Sequence, residues 1–427
     1  MAHILSDFKA FLDESPTSWH AVVQLGNRFA IRDFIPLKEG EKWDLEVGKR
    51  YFVARGGTLC AFSLPEEKPL QAILLASHTD SPSLKLKPEP AFQKENMHLL
   101  GVETYGAPLL SSWLNRDLSL AGKVVVLNTQ DRIEEKLVFI DDALLFIPQL
   151  AIHLDREVNE KGLILNKQDH LCPVIGLSDA STDVRFSLET LLRRHLVFNS
   201  LISFELFCVP VEQARFVGSE NEMISSYRLD NLASAHAAAT ALAMQQSSSQ
   251  NTLQMAFFYD HEEIGSHSKE GAASPFLNET LTRICHALHL NVEEQLILKN
   301  RSLCVSIDMA HALNPNYPDK HDLQHAPLLG KGIVIKHNAN QKYGTNAYSA
   351  AAIILACKQL NLPYQSFVTR SDLACGSTVG PIIAESTGIT TVDIGTPQLS
   401  MHSIREVMAC QDHMDMCRLL SHLVKEY

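Results

Sequence analysis

At 427 residues the chain can bury a sizeable core and hold more than one domain. Its 45% apolar and 20% charged residues are those of an ordinary globular protein. A net charge of -12 argues against a nucleic-acid binder and gives no sign of an anionic membrane partner. No apolar run approaches the roughly 18 residues of a transmembrane helix, and Met1–Phe8 lack the basic and apolar regions of a secretory signal. The nine cysteines are scattered, odd in number and free of CxxC pairs, the pattern of reduced thiols in a cytoplasmic protein rather than of a zinc ribbon or disulfide framework.

In chain order, Phe8, Phe11 and Leu12 share a helical face, and Ser15-Pro16-Thr17-Ser18 caps a second helix starting near Trp19. Tyr51–Ala54 and Thr58–Phe62 read as a hairpin around Gly56-Gly57. Ala72–Ala76 is wholly apolar, the mark of a strand buried on both faces, and it ends in His78-Thr79-Asp80-Ser81-Pro82. From about residue 91 to 222 short β-rich pieces recur (123–127, 136–140, 201–207), with a helical stretch near Ser187–Arg194. These predict a separate β-rich module, 91–222, interrupting an α/β domain made of 1–90 and 223–427. The patch Gln245–Gln250 reads as a solvated loop.

Beyond the insertion, Arg228-Leu229-Asp230-Asn231 leads into an alanine-rich helix, Leu232–Met244. Leu253–Tyr259 is a buried strand followed by Asp260-His261-Glu262-Glu263-Ile264-Gly265-Ser266. Leu303–Ile307 is a strand ending in Asp308, Ala347–Leu360 a helix, Gln365–Thr369 a strand, and Thr391–Gly395 the last strand, ahead of His402. Strands alternating with helices predict a mostly parallel sheet with helices on both faces.

Five element boundaries thus carry metal-type ligands: His78, Asp230, Glu262-Glu263, Asp308 and His402. Each alone is an ordinary turn residue; their recurrence where α/β enzymes build sites points to chemistry. Adjacent carboxylates repel unless a cation lies between them or one takes up a proton. Mixed histidine and carboxylate donors suit zinc, cobalt or manganese. Two divalent ions sharing one carboxylate need five ligands, which leaves one of these six groups free as a general base. The spacing of His78 and Asp80 lets the carboxylate return beside the imidazole and fix its tautomer.

These motifs, with Asp308-Met309-Ala310-His311-Ala312 and Met401-His402-Ser403-Ile404-Arg405-Glu406, resemble the M18 metallopeptidases, the aspartyl aminopeptidase family, over nearly the whole chain. The resemblance implies an α/β metallopeptidase domain of the dimetal exopeptidase type, interrupted by a β-rich oligomerisation domain and assembled into a homododecamer. It implies two divalent ions, zinc above all, with Asp230 bridging, His78 and Asp308 completing one site, and Glu263 and His402 the other. Glu262 is then the base that carries a proton from water to the leaving amine, an assignment that adjacency to Glu263 cannot make. The substrate is a peptide with a free N-terminus, acidic residues favoured. The same resemblance places Lys336 at the pocket for the first side chain, His153 at a neighbouring subunit's site, and Ser371–Thr378 along the bound peptide. Asn314 stands where relatives often carry histidine; it can hydrogen-bond but not become cationic. Two other readings stay open: the same hydrolase with neutral, leucine-type preference, and a non-catalytic shell-forming scaffold.

Overall fold

A computed structural model describes residues 2–178, 186–245 and 250–427; residues 246–249 of the predicted loop lie outside the described residues. The chain divides into two compact units, Met1–Asp80 with Ala214–Met401 and Glu406–Tyr427, and Ser81–Gln213 with His402–Arg405. The sequence reading set the inner limits at 90/91 and 222/223; the division falls at 80/81 and 213/214. At the first limit the cause is a continuous strand, Ser83–Lys94, which pairs over its length with strands of the second unit. At the second, Arg215–Val217 pairs with Met223–Ser226, which pairs in turn with Glu406–Ala409 of the first unit.

The first unit is built on a nine-stranded sheet, in spatial order Ile35–Leu37, Arg50–Arg55, Thr58–Ser63, Thr252–Tyr259, Gln71–His78, Leu303–Ile307, Thr390–Gly395, Ile333–His337 and Tyr364–Val368. Its centre is parallel, from Thr252–Tyr259 to Thr390–Gly395. The sheet as a whole is mixed rather than mostly parallel. The predicted hairpin forms, and a two-residue connection can only join antiparallel strands; Ile333–His337 also runs against Thr390–Gly395.

Alternation along the central strands divides their side chains between two cores. Ile73 and Leu75 join helices Ala2–Asp13, Ser18–Ala30, Leu229–Ala243, Ala347–Leu360 and Cys410–Glu426 on one face. Ala72, Leu74 and Ala76 join Phe276–Ala287 and Val379–Thr387 on the other. Helices therefore cover both faces, and each wholly buried Leu, Ile or Phe contributes about 1.5–3 kcal/mol. The register aligns Tyr259 with His78 and Ile307 with Ile394, so four central strands deliver their following turns to one edge.

The second unit holds a six-stranded antiparallel sheet, ordered Ile133–Phe139, Leu118–Leu127, Ser200–Pro210, Ser83–Lys94, Met97–Tyr105 and Val174–Leu177. The predicted helix near 187–194 is the short Leu188–Leu192, capped by Ser187 Oγ accepting from the Thr190 N–H. Among the described residues, no helix is long and apolar enough to cross a membrane. Each of the nine cysteines is free.

Candidate active site

The carboxyl edge of the central sheet gathers His78, Asp230, Glu262, Glu263 and Asp308. His78 Nε2 lies 3.4 Å from Asp230 Oδ1, 3.5 Å from Asp308 Oδ1 and 3.8 Å from Glu262 Oε2. Ligand atoms of His78, Asp230 and Asp308 fall within 4.8 Å of one another, as do those of His78, Glu262 and Glu263. Burial pulls the His78 imidazole toward its neutral form, but Glu262 with Asp230, Asp308 and Asp80 together hold its pKa well above the usual range.

Three devices position these groups. Asp230 opens helix Leu229–Ala243 with non-helical backbone angles, behind Arg228 at φ 66°. Its N–H donates to Glu406 Oε2 at 3.0 Å, and the neighbouring Asn231 amide donates to the Ile307 carbonyl at 2.8 Å. The guanidinium of Arg228 donates to the Thr79 and Pro16 carbonyls. His261, also at positive φ, turns the chain into the short 3₁₀ segment Glu262–Ile264; positive φ in a non-glycine residue is a costly conformation that the surroundings must enforce. Asp260 enforces it: its carboxylate accepts from the His261 N–H at 2.9 Å and from Ser18 Oγ at 2.9 Å. Gly57 is required here, since a Cβ would collide with that carboxylate. Burial and the nearby Asp80 push Asp260 up to about 6.

Asp80 takes a different part from the one its spacing suggested. Its backbone carbonyl is the group 3.1 Å from His78 Nδ1, while its carboxylate Oδ1 stands 3.4 Å from that nitrogen. The two carboxylate oxygens instead accept the backbone N–H groups of Glu262 and Glu263, at 3.1 Å each. Asp80 thus orients the histidine through its main chain and the glutamate pair through its side chain. With Nδ1–H directed at the carbonyl, Nε2 is the ligand nitrogen.

Burial, reinforced by Asp308, Asp80 and Asp230 and opposed by His78, pushes Glu262 up to about 8. Burial, with Asp230 and Glu262, drives Glu263 well above the carboxylate range. Four carboxylates converging on one imidazole are a donor set that fits hard or borderline divalent cations, which is the arrangement the charges call for.

Lys336, 2% exposed, places Nζ 3.3 Å from Asp308 Oδ2 and 5.4 Å from the centre of the Tyr343 ring. The predicted specificity lysine is therefore an ion-pair partner of a ligand carboxylate. Asn314 does not reach out as a free amide: its N–H donates to His321 Nε2 at 3.3 Å, and its Oδ1 accepts from Asn316. Leu373, Ala374 and Gly376 of the predicted peptide-binding segment line one cavity with His311, Asn314 and Met401.

In the second unit, His402 has φ 66°, with Nδ1 3.2 Å from the Ala107 carbonyl and its own carbonyl accepting from the Leu109 N–H. It too leaves Nε2 as the available nitrogen. His153 lies exposed in a turn beside Leu150, Ile152 and Leu154, which are 57%, 46% and 75% exposed.

Sequence reasoning gave no role to Asp260, Glu406 or Asp393. Asp393 is wholly buried, accepting from Thr378 Oγ1 and the Gly344 N–H at 2.6 Å each. Its signal was a carboxylate inside the apolar run Thr391–Ile394.

A sheet edge that collects one histidine and several buried carboxylates is the mark of a metal-dependent hydrolase. The family profile described as "Aminopeptidase I zinc metalloprotease (M18)" matches residues 11–423. The chain belongs to the M18 family of metallo-aminopeptidases. It is 41% identical over 425 residues to a "Probable M18 family aminopeptidase 2" of Pseudomonas aeruginosa (strain UCBPP-PA14), covering 97% of this chain and 95% of the relative. It is 37% identical over 453 residues to a "Probable aspartyl aminopeptidase" of Ricinus communis, covering 95% and 92%. Among solved structures it matches the Ape4 chain of an Ape4–Nbr1 complex with a TM-score of 0.94 and 36% identity, covering 99% and 85%. It shares its fold with the mApe1 dodecamer of S. cerevisiae, with a TM-score of 0.85 and 24% identity, covering 99% and 96%.

Proposed function

We propose that this aminopeptidase works with two divalent metal ions, most naturally Zn2+, with Co2+ or Mn2+ compatible, and that it favours peptides beginning with Asp or Glu. The observation that carries the reading is the cluster of His78, Asp230, Glu262, Glu263 and Asp308 at one sheet edge. His78 and Asp308 would hold one ion, Glu263 and His402 the other, with Asp230 shared. Bound ions of this kind supply Lewis acidity at the scissile carbonyl.

The chain's own residues supply the proton traffic. Glu262 takes a proton from the attacking water as the new C–O bond forms, and returns it to the amine as the C–N bond breaks. Its raised pKa suits that task, because a base poised near the working pH both accepts and releases readily. Asp80 keeps Glu262 and Glu263 in fixed, different positions through their main-chain N–H groups. Lys336 offers three donors, of which Asp308 engages at least one, and a cation in this water-poor setting favours an acidic first side chain. The name of the Ricinus relative supports that preference. The Lys336–Asp308 pair is also what favours the second reading, a neutral leucine-type preference, since a lysine committed to a ligand carboxylate is less available to substrate.

The β-rich unit is proposed to serve oligomerisation into a homododecamer, with His153 reaching a neighbouring subunit; the exposed apolar side chains around it support this. Reduced, free cysteines fit a cytoplasmic setting. The deciding experiment is a panel of N-terminal aminoacyl amides, free and N-acetylated, with each metal in turn. Selective cleavage of free Asp and Glu amides is expected. Preference for Leu amides installs the second reading, and cleavage of blocked peptides refutes the exopeptidase assignment.

A further inference from the structure

A second group of ligand-type side chains lies outside the strand-edge site, where helices Ala2–Asp13, Leu229–Ala243 and Cys410–Glu426 meet. His413 and Cys417 stand four residues apart on the last helix, which places them on one face. His236 comes from the helix that Asp230 opens. Its Nδ1 lies 3.0 Å from His413 Nε2, and Cys417 Sγ lies 3.7 Å from the same nitrogen. All three ligand atoms fall within 4.8 Å of one another.

From these atoms we propose a further metal site, His236–His413–Cys417, that takes a soft closed-shell ion of the Zn2+ or Cu+ type. Nitrogen and sulfur donors bound at about 2.0–2.3 Å to a tetrahedral ion stand about 3.3–3.6 Å apart, and the two measured separations bracket that range. The surroundings are those of a built site. His236 Nε2 meets Asp7 Oδ2 at 2.9 Å, and Asp7 is itself held by Arg28 at 2.5 Å. A carboxylate on the far nitrogen fixes the tautomer that turns Nδ1 inward, the support that metal-bound histidines receive. The Phe8 ring stacks on His413 at 3.9 Å, and the three ligands are at most 3% exposed. Burial keeps both imidazoles below their usual pKa and hence in the neutral, ligating form. The same burial pushes the Cys417 thiol up to about 12, so an entering ion displaces that proton: the S–H bond is lost, an S–metal bond forms, and one H⁺ is released without redox change. An ion here would tie the N-terminal helix and the C-terminal helix to the helix that carries Asp230.

The test titrates the metal-stripped full-length protein with Co2+. Thiolate bound to Co2+ gives a near-ultraviolet charge-transfer band, whereas the strand-edge donors are imidazole and carboxylate only and give none. One equivalent of Co2+ is expected to raise the band, and excess Zn2+ or Cu+ to bleach it. Cys417→Ser should abolish the band while leaving peptide hydrolysis within about twofold. Asp7→Asn should keep the band but weaken Co2+ binding at this site by about 10- to 100-fold. Absence of the band at saturating Co2+, persistence against both Zn2+ and Cu+, or full intensity in Cys417→Ser overturns the site and leaves a hydrogen-bonded histidine pair in the core.

Discussion

Replacing Asp80 by Asn tests whether the glutamate pair owes its placement to two main-chain hydrogen bonds. In the wild type each carboxylate oxygen accepts one N–H, from Glu262 and from Glu263, at 3.1 Å. The amide can accept only one and turns an NH₂ toward the other. A hydrogen bond to a charged partner contributes about 1.5–3 kcal/mol, and the orphaned N–H lies where water is scarce. If that loss falls on the transition state, kcat/KM drops about 10- to 150-fold. A shift in pH dependence accompanies it. The charge of Asp80 is one of the causes raising Glu262, so its removal lowers the pKa of the base and moves the acid limb of kcat/KM to lower pH. Steady-state kinetics on an Asp amide from pH 5 to 9, with metal content measured on each sample, reads both effects. Activity within threefold of wild type at full metal content refutes the positioning role. An acid limb that moves upward refutes the electrostatic part.

Much of this was legible in the sequence, and what was missed has physical causes. The apolar runs at 72–76, 253–259 and 303–307 became parallel central strands because strands buried on both faces leave no polar alternation to confuse the reading. His78, Asp230, the glutamate pair and Asp308 announced themselves by sitting where those runs stop. The partners that make them work did not, because they come from distant parts of the chain. Ser18 meets Asp260 across 242 residues, and Glu406 meets Asp230 across 176. Only the sheet order brings such groups together. Thr17 was read as a cap, yet its hydroxyl lies 2.8 Å from His20 Nδ1 and makes no capping bond. Lys336 carried a visible signal, a cation inside the apolar run 333–335, but a spacing rule cannot tell substrate from Asp308 as its partner.

The remaining predictions bear on the base, the selectivity, the turn and the charge of the site. Glu262→Gln should keep metal and fold but lose about 10²- to 10⁴-fold in kcat, the usual contribution of a placed base; near-normal turnover in the metal-replete variant sinks that assignment. Lys336→Ala should cost Asp and Glu amides about 10- to 150-fold more than Leu amides; an equal loss on both moves Lys336 from selectivity to the support of Asp308. Gly57→Ala should lower stability by about 1–3 kcal/mol, seen as a reduced Tm, because its methyl displaces the Asp260 carboxylate. The last concerns protein stripped of metal by chelation. Glu262 there has a folded pKa of about 8, against an ordinary value of 4.5, and Glu263 is shifted the same way. A carboxyl raised on folding binds more protons in the native state between those two values, so stability falls as pH rises through that window. The slope is at most about 1.4 kcal/mol per pH unit for each such group. Divalent cations replace the protons, so the loss should disappear when Zn2+ is restored. Calorimetry at pH 5 and pH 8, with and without chelator, separates the two cases: a chelated protein equally stable at both pH values would mean that these carboxyls are not held together by the fold in need of a cation.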